Sequence, residues 1–388
     1  LRQPGLRQPG LRQPGRDHGV NLGLLRRIGL AVAAPLMAAI AAIAVSSVVL
    51  QVSGSDPVDT FTTMLENGIK LESIIDMLNR ATPLYLSAIA AAIGFRMNLF
   101  NIGVEGQYIL AAFLAAVVGS RLELWAPLHI AVVMLTAMLV GAAWSGLAGV
   151  LKVTRGVNEV ISTIMLNFIA VGGLVAALLP RFIDDPTNPN QGTATIAESG
   201  RLPDLNSWVE LFTREISKGR RLTSVFLVAI VVGVVYHVVI NRSRFGFDVR
   251  ASGMNPNAAR VGGIPPKRMI VLAMIGGGLV AGLVGMPDIL SNKYAYDQSF
   301  VQGLGFAGIA VALLGRNTAP GMAIAALLFG FLDSSAAILQ VSGLASREIV
   351  VIMQATILLV AVIAYEVVNR IRQRDEVKRA AQLVEAAS

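Results

Sequence analysis

The stretch RFGFDVRASGMNPNAARVGGIPPKR occupies Arg244–Arg268 and separates two apolar runs at about 223–241 and 268–290. Each run approaches the ~20 residues an α-helix needs to cross the hydrocarbon of a bilayer. The basic insert between them carries helix signals of its own. Asn255 can cap a helix, and Pro256 suits the first helical position, where no N–H is required. Residues from Asn257 to Val261 then allow about one turn and a half before Gly262 and Gly263 end it and Pro265-Pro266 prevent resumption. So short a helix is marginal in water unless it lies against something. The residues leave two readings open: a cytoplasmic loop whose basic side chains only orient the chain, or a contact helix seated in a partner's groove.

Outward from this insert, apolar runs recur at 28–50, 74–95, 98–119, 128–151, 158–180, 223–241, 268–290, 301–316, 319–340 and 347–366, ten in all. The whole chain has 388 residues, of which 54% are hydrophobic and 14% charged, with a mean hydropathy of +0.65. A soluble domain carries roughly a quarter charged residues, so the composition indicates an all-α polytopic membrane protein. Period-two alternation over repeated segments is absent, which argues against a β-barrel. The 301–316 run is short and Gly-rich, as a broken or re-entrant helix would be.

Lys and Arg collect before Ile28, at Lys152 and Arg155, in 242–268 and in the tail from Arg370 to Arg379. With ten spans these segments fall on one side, so both termini are expected in the cytoplasm. Residues 1–27, which open on three LRQPG repeats, read as a disordered basic tail, 28–366 as the transmembrane domain, and 367–388 as a second cytoplasmic tail. The acidic segment 51–72 and the long loop 181–222 then face outside. In that loop SWVELFTREISKG sets Trp208, Phe212 and Ile216 four apart, which predicts an interfacial helix and a surface for an extracytoplasmic partner. A faint internal repeat links FNIGVEGQYILAAFLAAVVG with FVQGLGFAGIAVALLG. The glycines Gly276, Gly277, Gly278, Gly282 and Gly285 predict a close helix contact, within the chain or with a second chain.

Enzyme chemistry finds no support. There is no phosphate-binding loop of the Walker type, no HExxH and no GxSxG, and His18, His129 and His237 are dispersed. The chain has no cysteine, no expected metal or cofactor site and no nucleic-acid-binding motif; its net charge of +8 reads as cytoplasmic loop charge beside membrane lipid.

Ionisable and polar groups inside apolar runs are costly and therefore candidate pathway residues. Glu105 leads them, following Asn98 and Asn101 in a run interrupted by small and polar residues; it can instead pair with Arg96 or cap a half-helix. Asn167 can read a polar solute or bond another helix, and Asp333 has the same two options. Phe95, Phe100, Phe300 and Phe306 can stack on a flat solute or simply pack. Asn158 and Glu159 open a span as caps or as partner contacts.

Three stretches resemble one family. Arg250, Ala251, Gly253, Asn255, Pro256, Ala258, Ala259, Arg260, Gly263 and Ile264 match the coupling segment of ABC importer permeases of the ribose, branched-chain amino acid and nucleoside group, which they resemble; the resemblance implies a plasma (inner) membrane protein whose ATPase contacts include Met254 and Asn257 beside them. FNIGVEGQ at 100–107 and LGFAGIAVALLGR at 304–316 resemble two further signatures of that group. NEVISTIMLNFIA at 158–170, the long loop behind it and ESGRLPDL at 198–205 look most like its nucleoside permeases. The resemblance implies an importer in which a separate ABC ATPase subunit docks on the coupling segment, a second permease completes the channel and an extracytoplasmic binding (lipo)protein delivers the solute. A ribose-like sugar or branched-chain amino acid importer, or a stand-alone secondary transporter or channel, are the competing expectations.

Overall fold

The computed structural model describes residues 40–206, 220–364, 367 and 370. Residues 1–27, the 367–388 tail apart from residues 367 and 370, and the predicted interfacial helix around Trp208, Phe212 and Ile216 lie outside the described residues. The chain divides into two compact units, Leu1–Ala44 with Leu359–Ser388, and Val45–Leu358. Described residues of the first unit are helical. Everything that follows on packing concerns the second.

The helices, in chain order, are α1 (Ile40–Val52), α2 (Pro57–Gly68), α3 (Leu71–Arg96), α4 (Val104–Gly119), α5 (Ala126–Arg155) and α6 (Glu159–Phe168). After α6 a π-helical stretch, Ile169–Val175, continues the span to Arg181. Next come α7 (Val225–Arg242), α8 (Arg244–Met254), α9 (Pro256–Val261), α10 (Pro266–Gly282), α11 (Leu304–Leu314), α12 (Ala319–Val341) and α13 (Arg347–Ala364). Only isolated β-bridges occur among the described residues.

Five of these segments are long and apolar enough to cross a membrane, or six if the bent pair α1 and α2 counts as one. Each of the ten apolar runs contains a helix, and the fold is that of an all-α polytopic membrane protein. Two runs are shorter as helix than as apolar sequence. The 98–119 run is helical only from Val104, and α11 has 11 residues, about 16 Å of rise against a hydrocarbon core of about 30 Å. The acidic segment after α1 is not plain loop: Asp56 accepts from the Val58 and Asp59 N–H groups at 2.7 and 3.2 Å and starts α2.

The core follows from small residues. All of α4 except Leu114 and Val118 is buried, so it is a central helix apolar on every face. Against it α5 and α10 run so close that a Cβ on Gly278 would lie 2.3 Å from the Gly141 carbonyl oxygen, and one on Gly282 2.1 Å from that of Ala137. Ser145 adds a hydrogen bond to the Met274 carbonyl at 2.7 Å. The glycine stripe read from the sequence is thus engaged within the chain: Gly277 faces the Ala90 carbonyl, and Gly285 meets Ala112 and Phe300.

Candidate functional site

Glu105, in the first turn of α4, is a buried carboxyl. Its Oε1 accepts from the Gly303 N–H at 2.6 Å and its Oε2 from the Gly305 N–H at 2.8 Å. The Tyr108 hydroxyl stands 3.1 Å from Oε1 and 2.9 Å from the Val301 carbonyl oxygen. The first turn of a helix has N–H groups without intrahelical partners, and here a carboxyl from another helix supplies them. Glycine is required on the receiving side. Gly303 has φ +92°, and a Cβ on Gly305 would lie 2.4 Å from the Glu105 nitrogen. Of the two bonding options open for Glu105, the structure shows the half-helix cap. Arg96 is engaged elsewhere, donating to the Asn317 carbonyl at 2.7 Å.

Residues 97–103, between α3 and α4, are irregular backbone with Met97, Leu99, Asn101 and Gly103 buried, so their enclosed polar groups must be satisfied by other residues. Asn167 on α6 does much of this. Its Oδ1 accepts from the Gly106 N–H and its Nδ2 donates to the Ile102 carbonyl, both at 2.9 Å. Thr163, one turn earlier, accepts from the Ile102 N–H at 3.3 Å. Asn101 is buried and turns inward, accepting from the Gly103 N–H at 2.9 Å and from Gln107 Nε2 at 3.2 Å. The Gln107 Oε1 is buried without a hydrogen-bond partner among the described residues. Glu105, Asn101 and Asn167 therefore share one region, joined by Thr163, Gln107 and Tyr108, which sequence reasoning missed. This one amide and these two hydroxyls stand in FNIGVEGQYILAAFLAAVVG and NEVISTIMLNFIA, where nothing local marks them apart from their neighbours.

Other candidates lie elsewhere. Asn98 is exposed, with φ +57°, in the turn that closes α3. Phe95 and Phe100 pair beside that turn, ring centroids 5.0 Å apart. Phe300 belongs to a buried aromatic cluster with Tyr296 and Tyr108, while Phe306 is exposed. Asp333 accepts from Gln354 of α13 at 2.9 Å. Asn158 caps α6 through the Val160 and Ile161 N–H groups, and Glu159 forms an ion pair with Lys152.

The insert between α7 and α10 is built as its caps predict. Ser243 accepts from the Gly246 N–H at 3.0 Å and opens α8. Asn255 Oδ1 accepts from both the Asn257 and Ala258 N–H groups at 3.0 Å and opens α9, which has six residues. Gly263, with φ +81°, closes it, and the Ile264 N–H returns to the Ala259 carbonyl at 2.9 Å. Ala259 is the buried member; Met254, Pro256, Asn257, Ala258 and Arg260 are exposed, and Met254 and Val261 reach 88% and 91% exposure. Arg250 is half-buried, its Nη1 enclosed without a hydrogen-bond partner among the described residues.

Comparison with known proteins fits this architecture. Residues 73–362 match the family described as branched-chain amino acid transport system / permease component. The guanosine ABC transporter permease protein NupP of Bacillus subtilis (strain 168) is 33% identical over 336 residues, covering 86% of this chain and 93% of its own length. The glucose ABC transporter permease protein TsgB13 of Haloferax volcanii is 31% identical over 331 residues, 85% of this chain and 87% of its own. The nucleoside ABC transporter permease protein NupB of Lactococcus lactis subsp. cremoris (strain MG1363) is 30% identical over 339 residues, 84% and 90% respectively. A match this long, on a chain of membrane-length helices broken at two Gly-rich points, leaves one conclusion: the chain belongs to the branched-chain amino acid transport system permease family and is a multi-pass membrane permease component.

Proposed function

We propose that this chain is a transmembrane permease subunit of an ABC importer that carries nucleosides. A separate ATPase subunit hydrolyses ATP, a second permease completes the channel, and an extracytoplasmic binding protein delivers the solute. The observation that carries the reading is α9. It is too short to be stable on its own, is capped at both ends, and presents Arg260 and Val261 outward, next to the exposed Met254 that ends α8. Exposed apolar residues around one basic side chain suit a helix that docks in a groove. The end bearing 244–268 is then cytoplasmic, in line with its excess of Lys and Arg.

Nucleosides are supported by relatives named for guanosine and for nucleosides. Pairs of such permeases among the relatives, NupP with NupQ, support a heterodimer. A sugar substrate is the second reading, favoured by the 31% identical relative named for glucose. The region around Asn101, Glu105 and Asn167 is assigned to the translocation pathway.

Arg260→Glu in the assembled transporter is the direct test. It is expected to abolish stimulation of ATP hydrolysis by loaded binding protein, with the permease fold unchanged by circular dichroism. Unaltered hydrolysis would overturn docking through α9. Uptake of labelled guanosine and labelled glucose into vesicles separates the two substrates: uptake of glucose alone would overturn the nucleoside reading.

A further inference from the structure

The 315–318 turn between α11 and α12 holds features that the reading above does not use. Arg316 and Asn317 are consecutive non-glycine residues in the left-handed region, with φ of 57° and 55°. Such backbone persists only where the surroundings hold it. The holders are two donors on one acceptor: Arg96 Nη2, from the last turn of α3, and the Tyr236 hydroxyl of α7, each 2.7 Å from the Asn317 carbonyl oxygen. The same junction contains a buried donor and a buried acceptor left unpaired among the described residues, Arg96 Nε and Asn317 Oδ1. Orphaned buried polar groups are rare and call for a reason. Here their chemistry is complementary, so a small displacement of the turn against Arg96 has a second pairing to reach.

The backbone of Arg96 also touches the 244–268 segment. Gly253, two residues before the cap of α9, lies against the end of α3. A Cβ there would fall 2.7 Å from the Met97 carbonyl carbon and 2.8 Å from the Arg96 carbonyl oxygen. Contact between two backbones leaves little slack, because no flexible side chain lies between them to absorb a shift. On the far side, α11 is short and is held to α3 by the Ser87 hydroxyl on the Leu304 carbonyl at 2.9 Å.

We propose that Arg96 is a positioning residue that transmits displacement of the 244–268 segment to the half-helix α11 through the Asn317 carbonyl. The link rests on the docking role proposed for α9, and its test separates the two. In the first arm, the cysteine-free chain receives a single reporter, Arg316→Cys, and its rate of maleimide labelling is measured in purified permease. Gly253→Ala, which forces a Cβ into the Met97 backbone, is expected to change that rate at least threefold when Arg96 is present and less than 1.5-fold in Arg96→Gln. An equal response in both backgrounds, or no response in either, would overturn the relay, with no ATPase involved.

In the second arm, the assembled transporter is reconstituted and guanosine uptake is measured per ATP hydrolysed. Arg96→Gln is expected to keep hydrolysis within twofold while lowering uptake per ATP at least tenfold, and Arg96→Lys to recover a third or more of the native ratio. A ratio equal to the native one overturns the relay, as does loss of uptake and hydrolysis in equal proportion. Absence of ATP-driven uptake of both guanosine and glucose by the native complex overturns the importer reading, and the labelling arm still decides the relay.

Discussion

Two short helices of this permease are built in opposite ways. The cap of α9 is the residue just before it: Asn255 accepts from the N–H groups of Asn257 and Ala258 and leaves the helix mostly exposed. The cap of α11 is Glu105, which lies 198 and 200 residues from the glycines it serves, in the middle of the bundle. A locally capped helix can keep its shape while its surroundings move. A helix capped from another element moves with that element or loses its cap. The first design suits a part that docks and undocks, the second a part of the membrane core.

The contrast can be broken at Glu105. Glu105→Ala leaves two enclosed N–H groups without an acceptor and is expected to lower stability by about 2–5 kcal/mol, read as thermal unfolding in detergent. Glu105→Gln keeps an acceptor and is expected to lose about half as much. Melting equal to the native protein would show that α11 does not depend on this cap. Next in size is Gly308→Ala, whose Cβ would sit 2.0 Å from Ser87 Oγ. Overpacking α11 against α3 is expected to cost about 1–3 kcal/mol, partly relieved by Ser87→Ala, and strict additivity of the two substitutions would refute the contact.

Asn167→Ala removes both bonds to the break before α4 and is expected to cost about 1 kcal/mol, the usual size for hydrogen bonds between membrane helices. The smallest effect on global melting belongs to Asn255→Ala. It is expected to weaken only α9, by about 1 kcal/mol. Faster tryptic cleavage after Arg260 at an unchanged melting temperature is the signature; a drop in melting temperature would mean that α9 is not independent of the core.

The same contrast governs what could be read from the chain alone. Asn255, Pro256, Gly262 and Gly263 are neighbours in sequence, so α9 and its ends were legible. The ten apolar runs were legible too, because the length of a membrane crossing is fixed by the solvent. The shortness of α11 could be seen in its glycines, but its cap could not. Nothing local distinguishes a carboxyl that meets Arg96 from one that meets Gly303 and Gly305. Asn167 raised the same difficulty, since a polar group in an apolar run shows a need for a partner without naming it. The 276–285 glycines predicted close approach but not the neighbour, which proved to be α5 for Gly278 and Gly282. Arg96 was visible only as a nearby charge; its engagement with Asn317 depends on a turn more than 200 positions later.

The distance from Glu105 to Gly303 also has a meaning in time. Bacterial and eukaryotic chains are made at about 5–20 residues per second, so the 198 residues between cap and capped helix take about 10–40 s to synthesise. Throughout that interval α4 has been made while the amides that receive its carboxyl do not yet exist. The first half of this permease must therefore wait beside the insertion machinery, or in partly wetted form, until the second half arrives, and its assembly cannot be finished one helix at a time.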